Sequence, residues 1–221
     1  MGQSRARYLF TDRGEGDLAV ESVGVDERRR SVVDLPWTWL RQVHGSDVVV
    51  VERPGEHAGM RADAAVTAES GAALAVQSAD CAPVAIMGED TVGVAHAGWR
   101  GLVAGVVPAL VEASCRLNPP RLREPQGLRA VVGPCIRPCC YEFDADDLDV
   151  VAGVTGESVR SRTASGRPAL DLVSGIRAAL ASAGVERCDD VGVCTGCSPR
   201  HWSHRTEAAV ERQAVVAWLE P

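Results

Sequence analysis

Six short apolar runs, at residues 48–51, 74–76, 84–86, 92–95, 130–132 and 191–193, constrain this chain more than any other feature. Each is three or four residues long and built from valine, alanine, leucine, isoleucine or glycine, the signature of a buried strand rather than of a helix. Between them the period changes. After Gly101, Leu102, Val103, Val106, Val107 and Leu110 recur at helical spacing. Asp171 caps an expected helix that carries Leu172, Ile176 and Leu180 and stops at Gly184. Residues 206–219 read as a third helix, with Val210, Val216 and Ala217 inside it. The three prolines within 118–127 predict a surface loop, and the polar stretch 155–168 a second irregular segment. No repeat or low-complexity linker divides the chain. Strands and helices in this order predict one α/β or α+β domain spanning residues 1–221.

Composition narrows the function. The net charge of −7 argues against a general attraction to nucleic acid or to an anionic membrane. All 23 residues counted as lysine or arginine are arginine, a bias that genomic base composition accounts for. Without a lysine amine the chain has neither Schiff-base chemistry nor a Walker-type phosphate loop. Residues 1–12 lack the apolar core of a signal peptide, and no run approaches the roughly 20 apolar residues of a membrane helix. A cytoplasmic location with reduced thiols is therefore expected, leaving some of the eight cysteines for metal or catalytic work and most as small buried hydrophobes.

Histidine is scarce, with five in the chain. His44 precedes the run at 48–51, and His96 sits where the run at 92–95 gives way to a glycine-rich turn. Cys81 lies between two apolar runs. All three are at element ends, where side chains converge without disturbing a ladder. Two imidazoles and a thiolate suit zinc and leave a fourth position open. The same residues also fit a Cys81 nucleophile with a histidine base. Cys194-Thr195-Gly196-Cys197 has redox or zinc-knuckle spacing, but there is no second CxxC to complete a four-cysteine site. Cys135, Cys139 and Cys140 match no ligand spacing and are read as buried structural thiols.

Several segments, in order, resemble the YfiH/laccase-domain family over nearly the whole chain. They are Phe10-Thr11-Asp12-Arg13, Arg41-Gln42-Val43-His44-Gly45, Asp63-Ala64-Ala65-Val66-Thr67, Ser78-Ala79-Asp80-Cys81, Gly133-Pro134-Cys135-Ile136, Cys140-Tyr141-Glu142 and Ser203-His204-Arg205. The most distinctive is Ala95-His96-Ala97-Gly98-Trp99-Arg100-Gly101. The resemblance implies zinc held by His44, Cys81 and His96, and a layered α/β/β/α sandwich similar to that of cytotoxic necrotising factor toxins. It implies purine nucleoside phosphorylase activity, with adenosine deamination and methylthioadenosine cleavage beside it. It also carries two rival readings: a copper-dependent polyphenol oxidase, and a factor or binding protein in peptidoglycan precursor editing. Five histidines are too few for the several coppers of a laccase, so zinc is expected over copper. The partners expected are a small nucleoside and phosphate, with the chain a monomer or weak homodimer. The sequence departs from the family's pattern after Arg205, where Thr206-Glu207-Ala208-Ala209-Val210-Glu211 stands in place of an arginine, an aspartate and a glycine-rich turn.

Roles follow from that reading. Arginine forks match phosphate, so Arg41, Arg100 and Arg205 are nominated to hold it. Asp80, beside Cys81, is nominated as proton shuttle or as the group that orients a ligating histidine. Gln42 and Ser203 are nominated to bond ribose or base.

Overall fold

The computed structural model describes residues 5–118 and 124–220. Residues 119–123, the centre of the expected proline-rich loop, and residues 1–4 of the N-terminal segment lie outside the described residues. A four-stranded sheet has the order β1 (Arg5–Phe10), β12 (Gln213–Glu220), β5 (Ala73–Ser78), β2 (Trp37–Trp39). A six-stranded sheet runs β11 (Arg187–Asp190), β8 (Arg129–Val132), β6 (Ala82–Met87), β7 (Val92–Ala97), β4 (Ala64–Thr67), β3 (Val48–Val51). Strands β9 (Arg160–Arg162) and β10 (Pro168–Leu170) form a small antiparallel pair. The helices are α1 (Val25–Val32), α2 (Trp99–Ala104), α3 (Val106–Leu117), α4 (Ala145–Thr155), α5 (Leu172–Ser182) and α6 (His204–Glu207).

Period-2 alternation builds the layers. On one face of the six-stranded sheet, Ala64, Val66, Val84, Ile86 and Ala95 pack with Leu102, Leu110, Ile176 and Leu180 from the helices. On its other face, Ala65, Ala85, Val92 and Val94 meet Leu74, Val76, Val215 and Ala217 of the four-stranded sheet. That sheet's outer face, with Ala73, Ala75, Ala214 and Val216, packs with Leu18, Val25 and Trp37. The result is the expected α/β/β/α sandwich, in which the inner strands are apolar on both sides. No helix among the described residues is long and apolar enough to cross a membrane.

Four sequence expectations need correction. Residues 206–219 are not one helix: α6 ends at Glu207 and β12 pairs with both β1 and β5. Burial on both faces removes the polar alternation that would have marked β12 as a strand. The helix after Gly101 is two, broken at Gly105, whose φ of 90° closes α2 and opens α3. The strand expected at 191–193 lies just before it, as β11. The segment 155–168 contains a 3-10 turn, β9 and the start of β10.

Candidate metal centre

The pairing of β6 with β7 sets Pro83 opposite His96 and Ala82 opposite Ala97, so Cys81, just before β6, falls beside the end of β7. The turn before β3 brings His44 over the same spot, with its Nε2 3.9 Å from the Cys81 Sγ. The His44 and His96 rings stand edge to face with centroids 4.9 Å apart. One donor atom from each of the three residues lies within 4.8 Å of the others, so this trio could hold a metal ion. Gly98 makes room for it. A Cβ there would stand 2.7 Å from the Cys81 Sγ and 3.1 Å from the His44 ring.

One carboxylate organises the site. Asp63, fully buried at the start of β4, accepts backbone hydrogens from Val43, His44 and Gly45 at 3.1, 3.0 and 2.7 Å. These bonds hold His44 at a φ of 58°, a region unfavourable to a side chain with a Cβ. The same carboxylate lies 2.9 Å from the His96 Nδ1, which leaves Nε2 as the ring nitrogen available to an ion. Burial alone would raise the Asp63 pKa, but hydrogen bonds from His96, Gly45 and Val43 hold it below the usual range.

Cys81 and His96 each favour the charged form of the other. Burial pushes the Cys81 thiol up, yet the charge of His96 and hydrogen bonds from His44 and His96 outweigh it and bring it to about 6. Burial opposes the charge on His96, but the Cys81 thiolate and Asp63 raise it to about 9.

A cavity of about 740 Å³ opens above the trio, lined by Glu21, Arg41, Gln42, His44, Cys81, His96, His204 and Arg212 among others. Its size suits a small organic ligand. Of the nominated residues, Arg41 reaches it, with its guanidinium 2.6 Å from Glu21 in an exposed pair. Gln42 lies on the wall, but its amide is engaged: it donates to the Gln77 carbonyl at 2.6 Å and accepts from the Gln77 N–H at 2.8 Å.

Asp80 does not orient either histidine; Asp63 has that place. The Asp80 carboxylate accepts from the Thr195 hydroxyl at 2.7 Å and from the Arg205 N–H at 2.6 Å, on a backbone with φ of 105°. Ser203 does not reach the cavity wall. It is fully buried and caps α6 by accepting from the Thr206 N–H at 3.2 Å. Arg100 and Arg205 cap the two ends of an aromatic row instead. Trp99, Phe143 and Tyr141 stack edge to face, with Arg100 4.2 Å from the Trp99 ring and Arg205 4.9 Å from the Tyr141 ring. Burial raises the Tyr141 pKa and the Cys81 charge adds to it, while the Arg205 and Arg100 charges oppose.

Asp63, Tyr141, His204 and Arg212 escaped nomination. Asp63 and Tyr141 stood inside recognisable segments and His204 beside Arg205, but nothing local distinguishes a carboxylate that gathers three distant N–H groups. Arg212 lines the cavity from just before the strand β12 that the sequence disguised.

The chain has relatives among known proteins, by sequence and by fold. A family model described as multi-copper polyphenol oxidoreductase laccase matches residues 17–220. A purine nucleoside phosphorylase of Streptomyces coelicolor is 42% identical over 208 residues, covering 92% of this chain and 81% of that protein. One of Mycobacterium tuberculosis is 37% identical over 199 residues, covering 87% and 77%. Among solved structures, the hypothetical protein YfiH of Bacillus licheniformis, 23% identical, aligns with a TM-score of 0.85 over 97% of this chain and 93% of that one. The Neisseria meningitidis protein NMB0706, 28% identical, gives 0.84 over 98% and 95%.

Proposed function

We propose that this chain, which belongs to the YfiH-type family described as multi-copper polyphenol oxidoreductase laccases, is a zinc-dependent purine nucleoside phosphorylase. The observation that carries the reading is the meeting of His44, Cys81 and His96 at the floor of a nucleoside-sized cavity, in a chain whose relatives bear that name. The donor set fits zinc: borderline-soft nitrogen and sulfur, with a carboxylate behind one histidine. Bound there, zinc supplies a Lewis acid in a position that leaves room for substrate.

Phosphorolysis joins a phosphate oxygen to the sugar C1′ as the bond from C1′ to the purine nitrogen breaks. The chain must therefore hold an anion beside the sugar and seat the base. Arg41 offers a guanidinium whose exposed partner, Glu21, is readily exchanged for phosphate. Arg205 and Arg100, braced on Tyr141 and Trp99, offer further forks for the anion. Gln42 shapes the wall by clamping β5, and Asp80 holds Thr195 and the first turn of α6 in place.

Adenosine deamination and methylthioadenosine cleavage belong to the same proposal. Deamination needs a group that moves a proton at the purine C6. Glu21, on the cavity wall, is better placed for it than Asp80, whose two oxygens both accept protein hydrogens. The copper oxidase reading finds less support, because His57 lies against Glu56 and His201 bonds Ser198, leaving few imidazoles for further coppers.

The test is to assay adenosine and inosine with and without phosphate on zinc-loaded protein. Phosphate-dependent release of the free base, lost in a variant with His44, Cys81 and His96 changed to alanine, is expected. Copper-dependent phenol oxidation without purine turnover would reassign the chain to the oxidases. Bound zinc with neither activity would favour the role in cell-wall precursor editing.

A further inference from the structure

The CxxC at Cys194 and Cys197 finds in the fold the partners it lacks in sequence. They are the adjacent pair Cys139 and Cys140, in the turn before Tyr141. Two backbone bonds align the segments just ahead of the cluster: Cys135 donates to the Val193 carbonyl at 3.3 Å and Thr195 to the Cys135 carbonyl at 3.1 Å. The four sulfurs then lie within 4.8 Å of one another. Cys139 is 3.7 Å from both Cys194 and Cys197, and Cys140 is 3.3 Å from Cys197. All four are free thiols.

We infer that Cys139, Cys140, Cys194 and Cys197 form a second metal site, a tetrathiolate that takes a structural zinc ion. In a tetrahedral site with Zn–S near 2.3 Å, neighbouring sulfurs sit about 3.8 Å apart, close to the spacing present. An iron–sulfur cluster fits less well, since sulfurs bound to different irons must stand farther apart than these do. The CxxC turn has the form a metal knuckle requires. Cys197 and Ser198 donate to the Cys194 carbonyl at 3.2 and 3.0 Å, while the Arg137 N–H points at the Cys194 Sγ at 3.4 Å. Gly196 lets the pairs approach, because a Cβ there would lie 2.9 Å from that of Cys140. Cys139 and Cys197 are exposed, which gives an ion a way in.

The site shares no ligand with the His44, Cys81 and His96 trio, yet it braces that trio's surroundings. Thr195, between the two knuckle cysteines, donates to Asp80 at 2.7 Å, and Tyr141 follows Cys140 directly. The ion thus ties together two segments that flank the first site.

Metal content of protein isolated anaerobically from zinc-replete cells tests this. About two zinc ions per chain are expected in the wild type. A Cys194→Ser, Cys197→Ser variant should lose about one of them, and the variant lacking the trio should lose the other. X-ray absorption on the unmodified protein makes the test independent of how the variants fold: about 2.5 sulfur donors per zinc are expected. A single zinc with about one sulfur donor, iron at these thiolates, or a disulfide among them would each overturn the assignment.

Discussion

The Asp63 carboxylate sits 2.9 Å from the Nδ1 of His96 and also accepts the backbone N–H of His44, so one buried side chain fixes two of the three proposed donors. Replacing it with alanine frees the His96 ring to turn and leaves the 43–45 turn without its acceptor. Zinc affinity, measured by competition with a chelator, should fall about 10- to 100-fold. Thermal stability should fall as well, because a buried N–H left unpaired costs about 1–3 kcal/mol. Unchanged affinity would mean that His96 is held by its packing alone.

The metal-free site should show its ion pair in its pH dependence. The Cys81 pKa is depressed to about 6, so its contribution to stability is lost as pH falls through that value. The His96 pKa is raised to about 9, so its contribution is lost as pH rises through that value. The two describe one shared pair, which exists between those limits. In chelator-stripped protein, alkylation of Cys81 should already be near its plateau at neutral pH, and should need a higher pH in His96→Ala. Because His96 must be neutral to bind an ion, zinc uptake near neutrality should release about one proton, readable by titration calorimetry in buffers of different ionisation heat.

Gly98 offers a cleaner perturbation. Its φ of −74° and ψ of 167° are open to alanine, so the backbone tolerates the change. The added Cβ nonetheless meets the Cys81 Sγ at 2.7 Å and the His44 ring at 3.1 Å. Gly98→Ala should therefore weaken zinc binding about tenfold or more while leaving the melting temperature of the metal-free protein nearly unchanged. A large fall in that melting temperature would show that the substitution disturbs more than the ligands.

What the sequence disclosed depended on how far apart the cooperating residues stand. Leu172, Ile176 and Leu180 lie on one helix, and Asp171 caps it by accepting from the Ser174 N–H at 3.0 Å, as the local pattern predicts. Val215 and Val216 are buried against different layers, so β12 carries no polar alternation and its valines fit a helical wheel equally well. The same limit governs the sites. His44, Cys81 and His96 stood out through distinctive segments, whereas the pairing of Cys139 and Cys140 with a CxxC more than fifty residues on depends on the loops the sheet brings together. Asp63, whose partners lie about 20 and 33 residues away, was hidden for the same reason.

Arg205 gives the sharpest test of the phosphate site. Its backbone N–H is held by Asp80, and its guanidinium donates to the Glu142 carbonyl at 2.7 Å while lying over the Tyr141 ring. That bracing fixes the guanidinium fork in one orientation, which lysine cannot imitate. A hydrogen bond to a charged group contributes about 1.5–3 kcal/mol. Arg205→Ala should therefore raise the KM for phosphate roughly 10- to 150-fold. Bound zinc should be unaffected, since Arg205 touches none of the three donors. Arg205→Lys should recover part of the loss through charge alone. An unchanged phosphate KM in Arg205→Ala, with an increase in Arg41→Ala, would move the anion to the cavity side, where Arg41 faces Glu21.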